Sequence, residues 1–169
     1  MGLPHKLKNF RMFDNGNDYL GLVSEVTLPK IAEKVESYRG GGMLAELDIG
    51  MGLEKLEMEA KLGGAIISKL RGVGAVGVAG TLIRFVGAYQ EDGAGGVLAA
   101  ELTAQGKLIE LDPGNAKAGD NTEWTVKHTL SYLKWTVNGR VEVEIDVLNN
   151  IFIADGFDRM AEIRAALQQ

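Results

Sequence analysis

VESYRGGGMLAELDIGM, residues 35–51, places three consecutive glycines between two segments in which charged and apolar residues alternate. A glycine loop that cradles phosphate opens a helix, because the unpaired N–H groups and the dipole of the helix start attract the anion. No helical spacing follows here. Met43, Ala45, Leu47, Ile49 and Met51 fall on one face, and Leu44, Glu46 and Asp48 on the other, which is the period of two of a half-buried strand. The glycines read as a hairpin tip and the segment as β structure.

The same period recurs on both sides of this hairpin. Residues 53–62 set Leu56, Met58, Ala60 and Leu62 against Lys55, Glu57, Glu59 and Lys61, the cleanest alternation in the chain. An opening hairpin is predicted over residues 10–13 and 19–28, joined by Asp14-Asn15-Gly16-Asn17-Asp18, whose residue types tolerate the left-handed backbone of tight turns, and ended by Pro29. Residues 31–39 and 43–51 form the second hairpin. Residues 81–90 and 97–110 form a longer one, and residues 121–137 and 140–147 a fourth, closed by Asn138-Gly139. Two helices are expected. One covers residues 65–71, with Ile66, Ile67 and Leu70 at helical spacing; the other covers residues 157–167, with Asp155 as N-cap and Asp158 in the first turn. The reading is mainly β: an antiparallel barrel or sandwich of long hairpins with a short flanking helix and a C-terminal helix. Its core should include Leu47, Ile49, Leu56, Met58, Val126 and Ile145.

A chain of 169 residues, 46% hydrophobic and 24% charged, is long enough for one real core, so residues 1–169 are read as a single domain. The absence of cysteine removes disulfides, thiolate metal sites and a cysteine nucleophile. No apolar run approaches the roughly 20 residues of a membrane span, and residues 1–11 lack the core of a signal peptide, so the expected place of synthesis is the cytoplasm. A formal net charge of −5 argues against adhesion to nucleic acid, which needs a basic surface to displace counterions.

No catalytic constellation emerges. His5 and His128 stand in unrelated contexts, without convergent ligands or an orienting partner. Ser24, Ser37, Ser68 and Ser131 lack the strand–turn–helix setting of a nucleophile elbow. Glu54, Glu57 and Glu59 alternate with lysines as a solvated strand face does. Gly72, Gly74 and Gly77 have dinucleotide-like spacing but follow a helix and open none, so they read as a connector. Trp124 and Trp135, eleven residues apart on one strand, fall on opposite faces unless a bulge intervenes and offer no shared ligand platform. A monomeric ligand-binding barrel or sandwich is the competing reading.

Residues 3–43, followed by DIGMGLEKLEME at 48–59, resemble the start of the major tail-tube proteins of contractile-tailed bacteriophages and R-type tailocins. Residues 111–167 resemble that family's C-terminal half, including the Asp112-Pro113-Gly114 turn, the strands about Asn138-Gly139, the Glu144-Ile145-Asp146 strand end and the closing helix. The resemblance implies a structural subunit with no cofactor or metal. It implies hexameric rings that stack into a hollow tube inside a contractile sheath, with baseplate and tail-terminator proteins at the ends, and no membrane anchor. DNA passes through without specific binding in a phage, and a tailocin tube pierces a membrane. The protein is then located in the virion tail or tailocin particle after synthesis in the bacterial host. On this reading Arg39, Gly40, Gly41, Gly42 and Met43 form a ring-stacking tip, where glycine lets hairpin and neighbour approach closely. Lys34, Glu36, Glu46, Asp48, Arg84 and Glu101 face the lumen, and their excess of acid repels DNA phosphates.

Overall fold

The computed structural model describes residues 2–169. In chain order the elements are β1 (Lys6–Asp14), β2 (Asn17–Asp18), β3 (Val23–Thr27), β4 (Glu33–Tyr38), β5 (Leu47–Leu53), β6 (Leu56–Leu62), α1 (Ile67–Arg71), β7 (Thr81–Gln90), β8 (Val97–Asp112), β9 (Trp124–Val137), β10 (Arg140–Asp146), β11 (Ile151–Ala154), β12 (Phe157–Asp158) and α2 (Ala161–Leu167). Ten strands form one antiparallel sheet, ordered β12-β11-β10-β9-β8-β7-β1-β2, with β6 joining β9 and β3 joining β6. The other two, β4 and β5, pair only with each other.

β9 organises the large sheet. One of its edges pairs with β8 along most of its length, while the other pairs first with β6 and then with β10. The change occurs at Ser131, where the register steps from Gln105↔Tyr132 to Gly106↔Leu130 and leaves the serine as a bulge. Its Oγ donates to the Val78 carbonyl at 2.9 Å. Opposite the bulge the strands close up so tightly that a Cβ on Gly106 would run into the Thr129 carbonyl oxygen, which excludes every other residue there. Because a bulge shifts side-chain phase by one, Trp124 and Trp135 both pack against the core.

The sheet curls its apolar face around one cluster that includes Met12, Leu56, Met58, Leu62, Ile83, Phe85, Leu102, Val126, Leu133 and Ile145. Phe85 stacks on Phe10 at 5.6 Å and meets Trp135 edge-on at 6.5 Å. The long hairpins stand where the sequence predicts them. Asn138 and Gly139 both take positive φ, as a two-residue hairpin turn requires.

Four expectations are corrected. The opening hairpin is cut short, because Asp18 accepts a hydrogen bond from the Leu20 N–H, a turn closes from Leu22 to Tyr19, and β3 leaves to pair with β6. Leu47 and Ile49 are outside the core. In α1 the inward residue is Lys69, and Ile67 and Leu70 face out. The final helix is shorter than residues 157–167: Asp155 sits in a left-handed turn between β11 and β12, and Met160 is the N-cap. Asp158 instead accepts from the Met160 N–H at 3.1 Å and pairs with Arg164, which holds its carboxyl below the usual range.

Candidate functional site

The hairpin of β4 and β5 is exposed along every residue of both strands. Its register explains why. Glu36 stands opposite Ile49, Tyr38 opposite Leu47, and Ser37 opposite Asp48. Directly opposed residues project from the same face, so the polar positions of β4 share a face with the apolar positions of β5. One face carries Lys34, Glu36 and Tyr38 with Leu47, Ile49 and Met51; the other carries Glu33, Val35 and Ser37 with Asp48 and Gly50. Ser37 Oγ donates to the Asp48 carboxylate at 3.0 Å on that second face. Neither face joins the core of its own chain, and the hairpin stands off as an arm. The same register places Glu36 and Asp48 on opposite faces of the arm, so Lys34, Glu36, Glu46 and Asp48 do not all share one face of it.

At the tip the strands are joined by an eight-residue loop wider than a glycine turn. Met43 N–H donates to the Gly40 carbonyl at 3.2 Å, and Arg39 Nε donates to the Met43 carbonyl at 3.3 Å. Gly41 has open space around its Cβ position. Leu44, which falls on the same face as Glu46 and Asp48 by alternation, is 96% exposed at the tip.

Arg84 and Glu101 project from the large sheet on the side away from the core, joined by a hydrogen-bonded ion pair of 2.7 Å. Lys107, Lys134, Glu144 and Asp146 alternate on the same side. Tyr132 donates to Glu144 at 3.1 Å, and burial with this bond raises its hydroxyl to about 12. This surface is mixed in sign, not acidic.

Beneath α1 lies a polar cluster that the sequence did not reveal. Lys69 and Asp14, both buried, form an ion pair; Tyr19 Oη and Ser68 Oγ lie 3.2 Å apart; and the Lys69 ammonium sits 5.2 Å from the Tyr19 ring centroid. Burial pulls Lys69 down to about 8 and His128 to about 4, with the Lys69 charge adding to the His128 shift. At 2% exposure His128 lies inside the fold and reaches no substrate. The signal available was the lysine set three residues after inward-facing Ile66, on a helix of only five residues. Among the described residues no three His, Asp or Glu converge on a metal-binding geometry. Glu57 is neutralised by Lys55 at 2.9 Å and Lys127 at 3.3 Å, which lower its pKa.

An isolated chain of 18.2 kDa exposes 10899 Å². A folded monomer of that mass exposes about 8,100 Å². The excess, about a third, is the size of a substantial protein–protein interface. Residues 4–167 match the family described as phage tail tube protein FII. The chain is 40% identical to the tail tube protein of Escherichia phage P2, covering 97% of both chains. It is 34% identical to the major tail tube protein of Serratia phage KSP20, over 92% of this chain and 91% of that one. In fold it resembles a chain of the PVC sheath-tube complex, an extracellular contractile injection system in its extended state. There the TM-score is 0.57 and the identity 10%, over 79% of this chain and 91% of that one.

Proposed function

The chain belongs to the phage tail tube protein FII family and is a structural tail-tube subunit, not an enzyme; from that premise we propose that six copies close into a ring and that rings stack into a hollow conduit inside a contractile sheath. The observation that carries this reading is the β4–β5 arm, a two-stranded hairpin with apolar side chains and no cover in its own chain. Such a hairpin is at best marginally stable in water, so it acquires its buried face from another copy. Arg39, Gly40, Gly41, Gly42 and Met43, with Leu44, form the tip that meets the next ring. Edge strands that pair from copy to copy remove the free edges that invite uncontrolled association. Sheath protein surrounds the tube, and terminator and baseplate proteins close its ends.

The lumen is lined by the sheet face bearing Arg84 and Glu101, while the arm contributes Lys34, Glu36, Glu46 and Asp48 from two different faces. Six copies carry a formal charge of about −30, and a wall on which cations and anions alternate offers DNA no continuous basic track. DNA slides along such a wall without binding it. Negative-stain microscopy of the purified chain tests the assembly: six-fold rings and tubes are expected, and uniform small particles at high concentration would contradict it.

A further inference from the structure

Residues 60–90 contain no aspartate or glutamate, although the whole chain carries a net charge of −5. α1 and the loop after it lie in the middle of this stretch. Ile67 and Leu70, at i and i+3 of α1, are both exposed, and Val73, Val76 and Val78 extend the apolar surface through residues 72–80, with Val76 94% exposed. This surface is held in place from below. Lys69 reaches Asp14, Ser68 meets Tyr19, and Ser131 Oγ bonds the Val78 carbonyl. Five exposed aliphatic side chains on a fixed support, with exposed Arg71 beside them, mark an interaction surface.

The arm is its complement in sign and its match in apolarity. Tyr38, Leu47, Ile49 and Met51 share one arm face with Glu36, and residues 33–48 hold Glu33, Glu36, Glu46 and Asp48 against only Lys34 and Arg39. A second exposed apolar group, Phe157, Ile163 and Leu167, is accompanied by as many bases as acids, Arg140, Arg159 and Arg164 with Asp155, Asp158 and Glu162, Arg140 being paired with Asp155, whereas α1 and its loop carry no acid. Charge complementarity therefore selects α1 and its loop over the C-terminal cluster. A contact between two unlike patches is heterologous, and it repeats from copy to copy instead of closing a dimer.

We propose that the arm face bearing Tyr38, Leu47, Ile49 and Met51 docks on α1 and residues 72–80 of a neighbouring copy, with Glu36 of one beside Arg71 of the next. This docking rests on the stacked-tube reading and names the two surfaces that meet in it. The chain has no cysteine, which makes cross-linking specific. In assembled tubes of the Ile49→Cys/Val76→Cys variant, a short bis-maleimide should give a ladder of covalent oligomers, while each single variant and Ile49→Cys/Ile163→Cys stay monomeric on a denaturing gel. Independently, Glu36→Arg and Arg71→Glu should each lower tube yield by about tenfold, and their combination should restore it. Wild-type tubes accompanied by no 49/76 ladder and by normal yield from both single reversals would overturn the docking and leave the tube standing. A wild-type chain that forms neither rings nor tubes would overturn both.

Discussion

β5 and β6 lie in succession and carry the same kind of alternation, yet one is covered and the other bare. In β6, Leu56, Met58, Ala60 and Leu62 are all buried; in β5, Leu47 is 62% and Met51 57% exposed. The partner strand makes the difference. β6 meets β9 in phase, with Leu56 opposite Leu130, Met58 opposite His128 and Ala60 opposite Val126, so two inward faces combine. β5 meets β4 out of phase, with Ile49 opposite Glu36. Alternation within one strand assigns its faces, while the phase of the partner decides whether an apolar face is buried in its own chain or left for another.

Substitutions separate the two regions most widely when they strike the core or its ion pair. Phe85→Ala should cost the unassembled subunit about 3–5 kcal/mol in urea unfolding, because it empties a site wrapped by Phe10 and Trp135. Lys69→Met should cost a similar amount, about 3–5 kcal/mol, since Asp14 is left charged and buried without a partner. Adding Asp14→Leu should recover most of that loss, and failure to recover it would deny the pairing.

The next effect is pH dependence. The folded pKa of His128, about 4, lies below its ordinary 6.5, so the fold favours the neutral ring. Its contribution is full above pH 6.5 and is lost as pH falls through 4, a drop of about 3 kcal/mol. His128→Leu should flatten the thermal stability of the subunit over that window.

The smallest effects on subunit stability belong to the arm. Ile49→Ala and Gly41→Trp should each change it by less than about 0.5 kcal/mol, since the first side chain is exposed and the second position is open. Both should shorten tubes in micrographs. Wild-type tube lengths from Gly41→Trp would remove the stacking role of the tip.

The long hairpins were legible because their signals are local: Asn138-Gly139 fixes a turn, and the alternation of residues 53–62 fixes a face. What escaped depends on partners distant in sequence. The bulge at Ser131 reconciles two tryptophans that strict alternation separates, and it exists because β9 changes neighbours there. Lys69 in α1 is inward only because Asp14, at the end of β1, is there to receive it. The period of Leu47 and Ile49 predicts core positions, and the same period in β4, shifted by one across the hairpin, keeps them out.

Hydrogen exchange of the β5 amides, compared between unassembled subunits and tubes, tests most directly whether another copy covers the arm. Residues 47–53 should exchange rapidly in the free subunit, as a marginal hairpin does, and become strongly protected in the tube, while β8 and β9 are protected in both. Equal exchange of β5 in subunit and tube would contradict the account.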